Sequence, residues 1–378
     1  MTLGEGSQRR DSTLREGLAD FVQRVVAGSP TLRHRMNDAL ALIDVMTAGW
    51  GDRAPDGPPH VSYLARDGTP FEPSIRIAKS SPSELRWVLE AQPENAARDA
   101  SAYFAAALAL DERLAARGLI DLEHMRQIAD LFATQLPDTT AAIWFGAALG
   151  PTGPAVIKNY FVCSNPGQWR VAFSRFGLDA LAHELAAHLP AASKVEFVSV
   201  DLAGTDPRLK LYVRHRGPLD CDAIDASHRL SPHYRKGDAA LLVRALFGGI
   251  PVLRKLGPIS TFHISRATGN LTHSSLNVPL EPLHYATRVP ADDTTIALGI
   301  ARFVRSLDLP IDPLYAHMLS VALNDGVNYP HHRYAGLQRR GPGDAEAEVT
   351  VYLSTLLQAC HHGLAYGPVR LGPAPGRS

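Results

Sequence analysis

The spacing of apolar residues switches repeatedly between two patterns along the chain, and this switching predicts alternating helices and strands. In residues 13–50 the apolar positions are three and four residues apart, which predicts two helices. Residues 60–79 instead alternate apolar and polar side chains around an Asp67-Gly68 pair, which is a strong signal for a β-hairpin. A further strand is predicted at residues 85–91.

The same order of elements returns along the rest of the sequence. Helices are predicted at 96–117, 122–135, 169–189, 234–247, 294–307 and 312–323, and strands at 141–149, 155–163, 195–202, 208–215, 259–266, 273–280, 329–337 and 349–354. We therefore expect five rounds of helix, helix, strand, strand at 12–92, 96–163, 169–216, 222–281 and 291–355, followed by a tail at 356–378. The rounds share no evident sequence identity, so the repeat is one of architecture.

The expected fold class is α/β of the α+β kind, with antiparallel strands, because each hairpin pairs two consecutive strands. Ten such strands need closure or cover to avoid exposed edges, and helices must cover their apolar face. A ten-stranded antiparallel barrel ringed by helices satisfies both demands. A barrel of that width would enclose a ligand. We expect residues 1–378 to form one such domain.

Composition narrows the class of protein. The 378 residues include 38 Lys plus Arg and 38 Asp plus Glu, so net charge gives no general attraction to nucleic acid or to an anionic membrane. Cys163, Cys221 and Cys360 include no CxxC pair, which indicates reduced thiols. No secretory signal and no apolar run long enough to span a bilayer is present. These features predict a cytoplasmic protein without nucleic-acid or membrane partners, as a monomer or homodimer.

Two motifs suggest metal chemistry but have the wrong spacing. His183, Glu184 and His188 form HELAAH, whereas zinc proteases use histidines four residues apart. A spacing of five places the two imidazoles about 140° apart around a helix, so we expect an ordinary helix surface. Asp292-Asp293 is not a DDxxD diphosphate box and is equally explained as a helix N-cap. No metal site is predicted.

Cations on strands are the most informative polar residues. Arg208, Lys210 and Tyr212 alternate with aliphatic residues, so they share one strand face, and Lys158 and Tyr160 repeat the arrangement. If helices cover the aliphatic face, the cations point into the barrel. Buried cations there are costly unless an anion such as a phosphate or diphosphate meets them. The alternative is an antiparallel sheet with its polar face in water.

Glu72 supplies an opposite charge on a predicted inward face, which it shares with Ser74 and Arg76. A carboxylate among cations and tyrosines can accept a hydrogen bond from a neutral N–H donor, or act as a base. A solvated strand carboxylate, or an ion pair with Arg76, explains the pattern equally well.

Taken in order, the segments GTPFEPS, LRWVLE, IKNYF, RLKLYV and VTVYLS resemble the aromatic prenyltransferases of the dimethylallyltryptophan synthase type. The resemblance covers about residues 60–355. It implies five ααββ rounds around a ten-stranded antiparallel barrel, often called the ABBA or PT barrel. No single motif is decisive, but KxY followed by RxKxY, after a TPxExS segment, is fairly specific in combination.

The resemblance also implies roles for individual residues. Glu72 would bind the indole N–H, and the cations that would hold an allylic diphosphate are Arg86, Lys158, Arg208 and Lys210. The tyrosines that would shield the allyl cation are Tyr160, Tyr212 and Tyr352. Where the family usually has Lys or Gln and then Tyr on the fourth hairpin, this chain has Ser275 and Asn277. The family's last arginine matches either Arg339 or Arg340.

The resemblance implies transfer of a dimethylallyl group from dimethylallyl diphosphate to the indole of tryptophan or a derivative, in secondary metabolism. We expect no required cofactor, with Mg²⁺ at most stimulatory, since Lys and Arg can stabilise the leaving group. Members of this family that prenylate C4 have a lysine on the strand before IKNYF. Residues 139–153 contain no lysine, so the resemblance implies that attack at C4 is disfavoured. Attack from N1 is favoured, because Glu72 could then accept the proton. The alternatives are a non-catalytic barrel that binds an anionic small molecule, and a prenyltransferase for a non-indole aromatic.

Overall fold

A closed barrel of antiparallel strands, with helices around it, is the central feature of the computed structural model, which describes residues 12–53, 62, 64, 68–79, 81–94, 100–133, 143–202, 208–290, 292–323, 331–341 and 346–355. The strands are β1 (Phe71–Ala78), β2 (Glu84–Glu90), β3 (Ile143–Leu149), β4 (Val156–Val162), β5 (Lys194–Asp201), β6 (Arg208–Arg214), β7 (Ile259–Ser265), β8 (Leu271–Pro279), β9 (His332–Arg339) and β10 (Ala347–Leu353).

Helices precede each pair of strands. They are α1 (Leu14–Gly28), α2 (Met36–Thr47), α3 (Ala100–Ala116), α4 (Glu123–Ala133), α5 (Gln168–Arg175), α6 (Asp179–His188), α7 (Cys221–Ser227), α8 (Asp238–Phe247), α9 (Asp293–Ser306) and α10 (Pro313–Leu323), with short 3₁₀ turns at Arg33–Arg35 and Pro282–His284. The long helix predicted at 169–189 is two helices that separate at Gly177, and α7 lies outside the predicted helices.

Every strand pairs with its neighbours in the sequence, and β1 pairs with β10 to close the barrel. The register places Ser74 opposite Tyr352 on one side of β1 and opposite Arg86 on the other. The hairpin predicted around Asp67-Gly68 is therefore wrong, because the two sides of β1 are occupied by β10 and β2. The first arm of that hairpin lies outside the described residues, apart from Ser62 and Leu64.

The apolar face of the barrel is the core of the protein. On β6, Leu209, Leu211 and Val213 are fully buried and belong to the apolar layer between strands and helices. The alternating Lys210 is only 4% exposed although it is on the opposite face. The polar face therefore lines an enclosed interior, and the alternative of a sheet with its polar face in water is wrong. The expected ten-stranded barrel with surrounding helices is confirmed.

Within the described residues, no helix has the length and apolar character needed to cross a membrane. Cys163 and Cys221 are buried free thiols, and Cys360 lies outside the described residues.

Candidate active site

A cavity inside the barrel collects most of the residues singled out from the sequence. Nine of them contribute to its lining: Arg86, Lys158, Tyr160, Arg208, Lys210, Tyr212, Ser275, Asn277 and Tyr352. Glu72 is on the same face of β1 as Ser74, but the cavity lining does not include it. The structure thus brings together the predicted cations and tyrosines, and places the predicted carboxylate beside them along β1.

Strand register explains how these side chains meet. Lys158 on β4 is opposite Asp201 on β5, and Ser199 on β5 is opposite Lys210 on β6. Lys210 is in turn opposite His263 on β7. Because directly opposite residues of an antiparallel pair point to the same face, these side chains form one belt around the interior.

Asp201 is a buried carboxylate inside this belt. It is 2% exposed, and it accepts hydrogen bonds from Arg208 Nε at 2.8 Å and from Lys210 Nζ at 2.9 Å. Burial opposes ionisation, but the charges of Lys210, Arg208 and Lys158 outweigh it and lower the pKa of Asp201 to about 2. The belt therefore contains its own counter-ion.

The cations nevertheless crowd one another. Burial, with the charges of Lys210 and Arg86, lowers the pKa of Lys158 well below its usual value. Burial also lowers the pKa of Lys210 to about 8, against the attraction of Asp201. Cations that are desolvated in this way are stabilised by a multivalent anion, which supplies charge that Asp201 alone does not.

A second layer of ion pairs lies next to the belt. Arg76 NH2 donates to Glu84 at 2.7 Å and Arg76 NH1 to Glu348 at 3.1 Å, so the alternative of a Glu72–Arg76 pair is wrong. Glu84 also accepts from Arg86 at 2.7 Å. These contacts hold the Arg86 guanidinium at the cavity wall.

The two candidate arginines at the end of β9 have different environments. Arg339 faces outward and makes a buried ion pair with Asp238 of α8, with nitrogen–oxygen distances of 2.7 and 2.8 Å. Arg340 lines the cavity and is 3.1 Å from Glu348. Arg340 is therefore the one that can face a ligand. Adjacent residues of a strand point to opposite faces, so the sequence could not show which of the two arginines faces the cavity until the position of β9 was known.

Aromatic rings lie beside the cation belt. The ring centroids of Tyr160 and Tyr212 are 5.4 Å apart, and those of Tyr334 and Tyr352 are 6.2 Å apart. Lys158 Nζ is 5.2 Å from the centroid of Tyr160. Tyr334 was missed by the sequence reasoning, although it alternates with Gly336 and Gln338 on β9. Tyr160, Tyr212 and Tyr352 line the cavity, where aromatic rings can stabilise a cation, and Tyr334 packs against Tyr352.

Glu72 is part of a buried charged group next to the tyrosines. Arg333 Nε donates to Glu72 Oε2 at 3.2 Å, and the same guanidinium is paired with Glu281. Burial raises the pKa of Glu72 to about 7, against the opposing charge and hydrogen bond of Arg333. Glu90 on β2 has a pKa raised to about 7 by burial as well, and it accepts a 3.1 Å hydrogen bond from Trp144 Nε1.

Gly146 on β3 provides room for two of the site residues. It is opposite Lys158, and a Cβ at this position would overlap the Lys158 side chain and lie 2.9 Å from a ring carbon of Tyr160. Any larger residue would displace both side chains.

His188 of the HELAAH segment contacts neighbouring protein groups. His188 Nδ1 is 2.8 Å from the Glu184 carbonyl oxygen, and its Nε2 contacts Arg229. Across the ranges that the structure describes, no three His, Cys, Asp or Glu side chains are grouped to hold a metal ion.

No model of a known protein family matches the sequence, and no curated protein matches it. Solved structures do. A 6-dimethylallyl tryptophan synthase superposes with a TM-score of 0.77 at 20% identity, covering 92% of this chain and 97% of that one. The 5-dimethylallyl tryptophan synthase from Streptomyces coelicolor, in complex with DMASPP and Trp, gives 0.76 at 22% identity, covering 96% and 100%.

The 6-dimethylallyltryptophan synthase from Micromonospora olivasterospora, also in complex with DMASPP and Trp, gives a TM-score of 0.76 at 20% identity, covering 92% of this chain and 98% of that one. Identity at this level is informative about the fold. The chain has the barrel fold of the dimethylallyl tryptophan synthases.

Proposed function

We propose that this protein is an aromatic prenyltransferase that moves a dimethylallyl group from dimethylallyl diphosphate to the indole of tryptophan or a tryptophan derivative. The observation that carries the proposal is the belt of buried cations directly beside a cluster of tyrosines in one enclosed cavity. The solved structures with the same fold that were determined with DMASPP and Trp support this choice of substrates.

The cation belt would stabilise the leaving group. Heterolysis of the bond between C1 and the diphosphate oxygen sends the electron pair to pyrophosphate and leaves an allylic carbocation. In this proposal Arg86, Lys158, Arg208 and Lys210 bind the departing oxygens, together with Arg340. Donors that are fixed before the reaction stabilise developing charge without reorganisation. Since these cations can perform that task, we propose that no metal ion is required.

The tyrosine cluster would protect the carbocation. In this proposal the aromatic rings of Tyr160, Tyr212 and Tyr352 stabilise the cation, with Tyr334 packed against Tyr352, and their bulk excludes water that would otherwise capture it. An anion-binding barrel without catalysis would need the cations but not these rings. The pairing of the two features therefore favours the transferase.

Glu72 would position the acceptor. Its carboxylate is held by Arg333 and has a pKa near 7, so it can accept a hydrogen bond from the indole N–H and is also matched to a proton transfer near neutral pH. We propose attack from N1, with Glu72 taking the proton. The solved structures named above are of 5- and 6-dimethylallyl tryptophan synthases, so the position of attack is a separate question from the reaction class.

The direct test is incubation of the purified protein with dimethylallyl diphosphate and L-tryptophan in EDTA, followed by mass spectrometry and NMR of the product. We expect a product heavier than tryptophan by one dimethylallyl group. Hydrolysis of the diphosphate without any prenylated indole, across tryptophan, tryptophan-containing peptides and simple indoles, would contradict the proposed acceptor class. Binding of pyrophosphate without any turnover would favour a non-catalytic barrel.

A further inference from the structure

Among the described residues, strand β8 contributes no charged side chain to the wall of the cavity. The β8 side chains that line the cavity are Ser275 and Asn277, which are short and neutral. Asn277 lies against Gly336 of β9, where a Cβ would overlap its amide oxygen. The amide is thus packed into the space that the glycine leaves, and β8 offers an anion little direct contact.

His263 on the neighbouring strand β7 fills this part of the wall. It is directly opposite Lys210, lines the cavity and is 8% exposed. Its Nδ1 is buried and has no hydrogen-bond partner among the residues that the structure describes. Buried polar atoms are nearly always hydrogen-bonded. An imidazole that lines a cation-lined cavity and has an unsatisfied nitrogen can therefore take a partner that arrives with the ligand.

A second imidazole supports the first. His273 on β8 is opposite His263, and the two rings are stacked with centroids 4.0 Å apart. Thr272 Oγ1 donates to the His263 carbonyl oxygen at 3.0 Å, so it accepts from His273 Nδ1 at 3.0 Å. In a neutral His273 ring the proton is then on Nδ1, so Nε2 is an acceptor. That Nε2 is also buried, without a partner in the described part of the chain.

The charged groups around the pair determine its protonation. Arg208 and Lys210 face it from β6 and Arg340 from the end of β9, while His233 approaches His273 and Asp201 lies across the belt on β5. Burial, followed by His273 and the cations, lowers the pKa of His263 well below its usual value; burial and the same cations lower the pKa of His273 to about 3. Both rings are therefore neutral in the empty site at pH 7.

We propose that His263, supported by the stacked His273, is a ligand of the diphosphate and takes up a proton when that anion binds. This inference rests on the proposed function. The anion reverses the local sign of charge and so favours the imidazolium, which donates a charge-assisted hydrogen bond. Because the complex then holds one more proton than the free site, affinity for the anion should increase as pH falls.

The test uses inorganic pyrophosphate and calorimetric titration of the full chain at pH 6, 7 and 8. His263→Phe keeps a flat ring for stacking but has no donor, and His263→Gln keeps a donor that cannot ionise. His183→Gln, on the exposed side of α6, is the matched control for loss of a histidine. Lys210→Ala tests the cation belt independently.

We expect His263→Phe to bind pyrophosphate about tenfold or more weakly than wild type at pH 6, with a smaller difference at pH 8. His263→Gln should recover part of the affinity at every pH but lack the extra gain at low pH. The titration of pyrophosphate itself is common to all variants, so only the difference between their pH profiles counts. His183→Gln should follow wild type.

Parallel pH profiles for wild type and His263→Gln would overturn the proton uptake. Unchanged affinity in both His263 variants, with loss in Lys210→Ala, would overturn the role of His263 and leave the proposed function intact. Failure of wild type to bind pyrophosphate at any pH would overturn both. If His263→Phe does not fold, the Gln variant decides the question by itself.

Discussion

Asp201 accepts a 2.9 Å hydrogen bond from Lys210 beside a cavity whose charged lining residues are mostly cationic. The same carboxylate accepts from Arg208 and is opposite Lys158 in the ladder between β4 and β5. It therefore holds two cations in place, and its charge attracts the third. In the proposed function, a diphosphate that binds these cations competes with Asp201 for them, so this residue sets how tightly the diphosphate is held.

Replacing Asp201 with Asn should tighten the binding of pyrophosphate, because the anion no longer meets a fixed negative charge. At an effective dielectric constant of about 20, one charge a few ångströms away is worth a few kcal/mol before screening. Screening and the weaker hydrogen bonds to Arg208 and Lys210 offset most of this, so we expect an inhibition constant lower by about fivefold, which is about 1 kcal/mol. Product-inhibition kinetics measure this inhibition constant for pyrophosphate. Asp44→Asn, at an exposed position on α2, is the control. An unchanged or higher constant in a folded Asp201→Asn protein would show that Asp201 mainly orients the cations.

Arg208→Ala and Lys210→Ala should each lose about 2–4 kcal/mol of transition-state stabilisation, by analogy with the removal of one oxyanion donor. Both variants should fold, since the removed groups are in the interior cavity rather than in the apolar layer. The measurement is kcat/KM for dimethylallyl diphosphate together with circular dichroism. Arg126→Ala, an exposed cation on α4, is the matched control. Wild-type turnover in either cavity variant would refute its place at the leaving group.

Glu72→Gln should still bind tryptophan but lose at least about 10²-fold in rate, which is the low end for general-base catalysis. For wild type, kcat/KM should fall as pH decreases through about 7, the pKa of Glu72 in the free protein, because a protonated Glu72 cannot accept the proton. The Gln variant should not show this fall at low pH. The product should carry the prenyl group on N1. Near-normal turnover would exclude Glu72 as the base, whereas a prenyl group on a ring carbon would remove only the nitrogen-attack mechanism.

Activity should persist after treatment with EDTA, because the proposed leaving-group site consists of Lys and Arg side chains. Added Mg²⁺ should at most stimulate turnover, by screening pyrophosphate as it leaves. The measurement compares the initial rate of turnover in excess EDTA with the rate after Mg²⁺ is restored. Complete loss in EDTA that Mg²⁺ reverses would establish a metal requirement.

Gly146→Ala should impair turnover by about tenfold or more, because a displaced catalytic group of this kind costs a large part of its contribution. The added methyl group would push against Lys158 and the ring of Tyr160. Ala147→Gly, on the opposite face of β3, is a control for a small change in the strand. Equal activity of Gly146→Ala and wild type would mean that Lys158 can relax without loss.

The sequence predicted most strands and helices because period-two and helical patterns are local properties. The predicted hairpin partner of β1 was wrong because the true partner, β10, lies at the far end of the described chain. No local pattern in the sequence indicates a pairing over that distance. Period two also identified Lys158, Lys210, Tyr160 and Tyr212, whereas Tyr352 came from the family resemblance. It could not reveal the partner of Glu72, because Arg333 is 261 residues away. Asp201 alternates with Ser199 and was visible in principle, but its importance depends on the register of three strands.

The pairing of β1 with β10 also has a consequence for folding. Among the strands that the structure describes, every other pair joins neighbours in the sequence, so nine of these ten ladders can form during synthesis between consecutive strands. The tenth ladder joins β1 to β10, where Ser74 is opposite Tyr352, so it cannot form before β10 is made. Until residues 347–353 emerge from the ribosome, the first strand has an open edge. Such an edge is prone to pair with another chain, and its closure is the slow, long-range step of folding.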